Sequence, residues 1–198
     1  MREGLIDLVG LCPFPTTSSA ASIALKQPYL RNYGHSSDSS SSIVPTIPLM
    51  PDEQLKDLAA EAISIQWASS LLQDVYDFVA LYHQKRDVSC PVTIPQFRFV
   101  KCGLAITNYP GVAPEQKDVY LVEELIRTED GPWRKYINNN SSFPHHFHDK
   151  ENQRRADFLA FCQHVQYWRT GCQAFTSDFQ GELSIRIVAA LTDLVVRG

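Results

Sequence analysis

The feature that most constrains this chain lies between residues 51 and 86. Leu55, Leu58, Ala62, Ile65, Leu72, Val75, Val79 and Tyr82 recur there at three- and four-residue steps, the spacing of one face of an α-helix. Pro51, Asp52 and Glu53 suit the positive end of a helix dipole, and Lys85 and Arg86 its negative end. The spacing predicts one helix from Pro51 to about Gln84, ended by the CPVTIP segment from Cys90 to Pro95.

The flanking segments read as strands. SIALKQPYL, Ser22 to Leu30, alternates, with Ile23 and Leu25 on one side and Ala24 and Lys26 on the other. QFRFV alternates with Phe97 and Phe99 on one face, and DVYLVEELI, Asp118 to Ile126, follows the loop NYPGVAPEQK. The stretch from Arg127 to Lys150 is polar and turn-rich, which predicts loop. Glu151 to Arg169 predicts a second helix, with Phe158, Phe161, Val165 and Trp168 on one stripe. Gly171 stands where a capping glycine belongs. QAFTSDFQG reads as a short closing strand, and IRIVAAL, later in the chain, as a strand or a frayed end. Gly34 and the HSSDSSSS run after it cannot pack a core and read as a connector. The order of elements is that of an α+β chain in two lobes.

The chain has 198 residues, 44% of them hydrophobic, and a formal net charge of −4. That length allows one compact domain or two small lobes. The charge provides no basic footprint for nucleic acid or an anionic membrane. No apolar run approaches the roughly 20 residues of a membrane span. Glu3 and Asp7 interrupt the short apolar run near the start, so it reads as a piece of domain rather than a leader. The five cysteines, Cys12, Cys90, Cys102, Cys162 and Cys172, form no CxxC pair. Neither a zinc ribbon nor a disulfide framework is expected, and reduced thiols place the chain inside the cell.

Asp178 and Gln180 lie two residues apart at a strand end that runs into Gly181. A carboxylate and an amide oxygen so spaced can both face one hard cation; an aspartate before a glycine is equally an ordinary loop residue. Lys26 on its strand can pair with nucleotide phosphates, as strand lysines do in kinases, or be solvated. Glu61, beside the apolar stripe of the long helix, can reach such a lysine, and its ordinary reading is an exposed helix glutamate. His145, His146 and His148 read as a solvated loop, since no Cys or HExxH stands near. His164 is expected to be a hydrogen-bonded core histidine.

Together the segments VEELIRTEDGPWRKYINNN and DFLAFCQHVQYWRTGCQAFTSDFQG resemble the alpha-kinase family. The matching pieces are Glu123-Glu124, Gly131 to Asn139, Ala160 to Tyr167, and Asp178 to Gly181. EAISIQWASSLLQDVYDFV resembles the family's long N-lobe helix. The resemblance runs from about Lys26 to Gly181. It implies a two-lobed protein-kinase-like fold within 22–181, with an N-lobe over about 22–126 and a partial C-lobe over about 127–181. Residues 1–21 are an undefined N-terminal segment, and 182–198 an atypical tail.

By the same resemblance Lys26 meets the ATP phosphates, with Glu61 as its acidic partner. Glu123 and Glu124 fall in the segment that lies against adenine, and Asp178 and Gln180 hold Mg²⁺. The implied activity is transfer of the ATP γ-phosphate to Ser or Thr of a protein, in the cytoplasm. The family's TDP motif has one counterpart, Asp193 in Leu191-Thr192-Asp193, without the proline. The family's Gly-rich loop and structural zinc site have no counterpart before Gly198. An incomplete C-lobe without that zinc, and weak or no activity, are therefore expected; the alternative function is a kinase remnant that binds nucleotide or protein.

Overall fold

The computed structural model describes residues 6–7, 23–31, 46–86, 93–107, 111, 117–126, 132–139, 141–181 and 186–189. In chain order the elements are β1 (Ile6–Asp7), β2 (Ile23–Lys26), β3 (Tyr29–Arg31), β4 (Thr46–Pro48), α1 (Pro51–Arg86), β5 (Arg98–Phe99), β6 (Cys102–Thr107), β7 (Val119–Glu124), β8 (Arg134–Lys135), α2 (Lys150–Arg169), β9 (Phe179–Gly181) and β10 (Arg186–Ala189). The chain is α+β. It divides into two compact units, residues 1–62 with 101–125, and 63–100 with 126–198.

α1 forms where the apolar spacing predicts it and ends two residues later, at Arg86. No glycine or second proline interrupts its sequence, and Pro51 takes the first helical position, where its missing N–H costs nothing. The amide of Met50 donates to Glu53 Oε2 at 3.3 Å, the return arm of a capping box.

The first unit holds an antiparallel sheet in the order β1-β6-β7-β2 and the antiparallel pair β3-β4. The expected strand over Ser22–Leu30 is split into β2 and β3, because Pro28 between them has no N–H to give a ladder. Ile23 and Leu25 are exposed, while Leu121, Val122 and Ala105 of the two central strands are buried.

The least obvious core member is Gln54, 1% exposed on the first turn of α1. Its Nε2 donates to the Leu49 carbonyl at 2.7 Å, and its Oε1 accepts from Val119 N at 2.9 Å and Gln27 Nε2 at 3.3 Å. One side-chain amide thus ties α1 to the start of β7 and to the end of β2. Gln54→Leu strands the Val119 amide and is expected to cost about 1–3 kcal/mol, read as a lower urea midpoint.

The second unit holds a sheet in the order β5-β10-β9-β8, in which β10 runs parallel to β5 and the other pairings are antiparallel. Phe97 and Phe99 are both buried, as their alternation predicts. Phe97 and Tyr76 each stack on Phe158. The Tyr76 hydroxyl accepts from Phe97 N at 2.6 Å and donates to Pro95 O at 3.0 Å.

α2 begins at Asp149, whose carboxylate accepts from Asn152 N at 2.8 Å. It ends in a Schellman motif. Gly171 N donates to Trp168 O and Cys172 N to Tyr167 O, with Gly171 at φ 65°. Its buried face is Ala156, Phe158, Leu159, Cys162, Gln163, Val165 and Gln166. Phe161 and Trp168, expected on that stripe, are 39% and 65% exposed. The same rotation exposes His164, which corrects its reading as a core histidine.

The segment expected as loop from Arg127 to Lys150 contains β8 and a bridge between Ile137 and Pro144. Tyr136 and Ile137 are fully buried there, and both amides donate to the Phe179 carbonyl. Two apolar residues in a polar stretch carry no periodicity, and only the β9 edge gives them a strand to join.

Candidate functional site

The charged clusters form one in each unit. In the first, the β2–β7 register sets Ala24 beside Glu123 and Lys26 beside Leu121. The Lys26 ammonium lies 2.8 Å from Glu123 Oε2 and 3.7 Å from Glu61 Oε1 of α1. Of the two acids, Glu123 is nearer, although the resemblance assigns it to the adenine segment and gives Glu61 the lysine. Both Lys26 and Glu61 side chains are 46% exposed, against 6% for Glu123.

A buried carboxylate needs a counter-charge, and the lysine provides it. The other oxygen, Glu123 Oε1, is buried without a hydrogen-bond partner. Glu124, one residue on, turns to the opposite face of the strand. Its amide donates to Lys101 O at 2.9 Å, and its Oε2 accepts from Lys101 N at 3.5 Å.

Cys102 stands across the β6–β7 ladder from Glu123. Burial, then the carboxylates of Glu123 and Glu61, push its thiol up to about 11, against a smaller opposing pull from Lys26. A neutral thiol therefore adjoins the lysine and its two acids. Nothing in the sequence marks Cys102 for that position.

In the second unit the segment before β9 is fixed by side-chain amides of α2. Gln166 Oε1 accepts from Thr176 N at 2.8 Å, and Gln163 Nε2 donates to Thr176 O at 2.9 Å. Asp178 follows in the left-handed region, at φ 57°, and is 6% exposed. The left-handed conformation is uncommon for a residue with a side chain, and Asp and Asn adopt it most readily.

Lys135 of β8, opposite Gln180 in the ladder, reaches back so that its ammonium lies 2.6 Å from Asp178 Oδ1. The contact is close, yet this oxygen makes no hydrogen bond of good geometry. It is an ion contact without direction. Gln180 is half-buried on β9.

Asp178 and Gln180, two residues apart at one strand end, carry oxygens of the hard type, and Asp178 Oδ1 is buried without a directed hydrogen bond. That set fits Mg²⁺, which takes one or two protein carboxylates and completes its shell from phosphates and water. Lys135 was not apparent from the residues alone; its signal is the position of a lysine within the KYINNN segment.

Asp193 lies outside the described residues. Among those that are described, no group of three or more His, Cys, Asp or Glu side chains could hold a metal ion. His145, His146 and His148 are exposed, with the rings of His146 and His148 edge to face at 5.9 Å. Replacing all three by Ala is expected to leave the metal content unchanged in elemental analysis, and a loss of zinc would overturn that reading. No helix among the described residues is long and apolar enough to cross a membrane.

In comparisons with known proteins, no curated protein matched the chain. The alpha-kinase family model matched residues 21–197.

Proposed function

The chain belongs to the alpha-kinase family, and from that premise we propose that it is a two-lobed protein kinase, moving the γ-phosphate of ATP to Ser or Thr of a protein substrate. The observation that carries the reading is Lys26, an accessible ammonium held in place by a buried carboxylate. Phosphoryl transfer depends on positioning and on charge aimed at the phosphates rather than on covalent chemistry by the protein.

In this reading Lys26 holds the nucleotide phosphates, and Glu123 and Glu61 keep its ammonium in place before the nucleotide arrives. The strand end at Glu123 and Glu124 lies along the adenine. Asp178 and Gln180 hold the magnesium, which when bound offsets negative charge developing on the phosphoryl group. Asp193 receives the proton of the substrate hydroxyl. A reaction that draws on cellular ATP supports a cytoplasmic location, as do the free thiols of Cys102, Cys162 and Cys172.

A second reading, a nucleotide-binding module without turnover, is favoured by one observation: Asp193 is followed by Leu194, where the family has proline. A radiolabelled γ-phosphate assay on the purified, monodisperse chain separates the two. Acid-stable label on Ser or Thr supports the kinase. ATP binding without incorporation supports the module.

A further inference from the structure

We propose that the second unit holds a site for a long-chain carboxylate: an aromatic chamber for the acyl tail, with a cationic mouth for the head. The chamber has a volume of about 340 Å³, within the ~300–1,000 Å³ range of small-molecule sites. Phe78 and Tyr82 of α1, Phe158 and Phe161 of α2, and Ile94 form its wall. Among the described residues no Lys, Arg, Asp or Glu lines it. Ile94 and Phe158 also line a second cavity, of about 480 Å³, so the two adjoin. That second cavity is amphipathic. Pro95 and Phe147 give it an apolar side, and His148, Lys150 and Arg154 a basic one.

The charges at the mouth favour an anion. The acid among its described lining residues is Asp157, whose Oδ1 already accepts from Gln153 Nε2 at 2.8 Å. Arg154 meets Glu151 through Nη2, while its Nε is buried without a hydrogen-bond partner. Asp149 is engaged by Asn152 at the helix cap. Lys150 has no acidic partner among the described residues. Charge and apolar surface follow one line, since Lys150, Arg154, Phe158 and Phe161 stand at steps of four, four and three along α2, one stripe of the helix. That stripe covers about 16 Å of helix axis, close to the roughly 15 Å that one acyl chain spans in half of a bilayer's hydrocarbon core. Tyr82 and Phe161 are 46% and 39% exposed, so their rings meet water until a tail covers them. A tail alone leaves Lys150 solvated, and an acid alone leaves the rings wet; a fatty acid satisfies both. None of the residues assigned to nucleotide or magnesium lines either cavity.

The test is displacement of the fluorescent fatty acid cis-parinarate from the full 198-residue chain by laurate, octanoate and dodecanol. Saturable binding is expected, with laurate more than about a hundredfold tighter than octanoate, because each of the four extra methylenes contributes about fourfold. Lys150→Glu is expected to weaken laurate about tenfold and to leave dodecanol within about twofold of the parent. Phe161→Asp puts a charge on the chamber wall and should abolish displacement by both. Phe161 is partly exposed, so the fold should persist, as circular dichroism will show; Tyr82→Asp is the second variant, held to the same expectation.

Three results would each overturn the proposal: no saturable binding of cis-parinarate by the parent, laurate no tighter than octanoate, or equal laurate affinity in Lys150→Glu. The first and third need no change to the chamber, so they decide the matter even if Phe161→Asp and Tyr82→Asp both fail to fold. A bilayer also offers acyl chains beside anionic heads, and flotation with phosphatidylserine vesicles separates that source. Flotation of the parent that laurate does not compete away, and that Phe161→Asp retains, would assign the basic face to a membrane surface and remove the fatty-acid site. Flotation that laurate abolishes supports the chamber as the place where the chain enters.

Discussion

Lys26→Ala is expected to weaken nucleotide binding on the order of a hundredfold, about 2.7 kcal/mol, while the helices persist. The lysine is held 2.8 Å from Glu123 before any ligand arrives, so its ordering cost is met by the fold and its charge is spent on phosphate. Its removal has a second effect. Glu123 is 4% exposed and loses its nearest counter-charge, so the variant is expected to melt below the parent. Lys26→Arg retains the charge without the point geometry of an ammonium and should bind with intermediate affinity. A titration with fluorescent ATP, paired with circular dichroism, separates the outcomes. Unchanged affinity in Lys26→Ala removes the phosphate assignment, and a lost helix signal would make the pair structural.

The second large effect is expected from Asp178→Asn. In the parent, magnesium should strengthen ATP binding; in the variant, ATP affinity should be the same with and without it. Phosphate incorporation should fall on the order of a thousandfold, because several kcal/mol of charge stabilisation are lost with the metal. Asn is the proper substitution. It has the shape of Asp and tolerates the left-handed backbone at φ 57°, whereas Ala would add strain to the loss of charge. A variant that still incorporates label at the parent rate would exclude Asp178 from the metal site.

Both helices are legible in the sequence because local signals coincide with long periodicity. Pro51 and the basic Lys85-Arg86 bracket α1, and Gly171 marks the end of α2. What escapes is whatever depends on partners distant in sequence. β8 has two residues and no alternation, and exists because β9 offers an edge. Gln54, Gln163 and Gln166 look like surface residues by type, yet each is buried because its amide meets backbone groups of another segment. The rotation of α2 is set by the aromatic packing around Phe158 rather than by its own pattern, which is why Phe161, His164 and Trp168 face outward.

The candidate site divides along the same line. Residue types and motif order bring Lys26, Glu61, Glu123, Glu124, Asp178 and Gln180 to notice. Which carboxylate meets which lysine is a matter of strand register and side-chain reach. The 2.8 Å pairing of Lys26 with Glu123 follows from the β2–β7 ladder, and the Lys135 contact from the β8–β9 ladder. Neither ladder has a local signature.

The left-handed backbone at Asp178 also limits what mutation can do there. Most side chains at that position would strain the turn, so most replacements remove charge and fold together. Asn and Gly are the exceptions, because both accept that conformation. Each is one base change from an aspartate codon. A lineage of such chains therefore has two short genetic routes from a metal-binding domain to one that retains its shape and lacks its metal ligand, and drift along either would leave a protein that still folds, accumulates in the cell and presents the same surface to its partners.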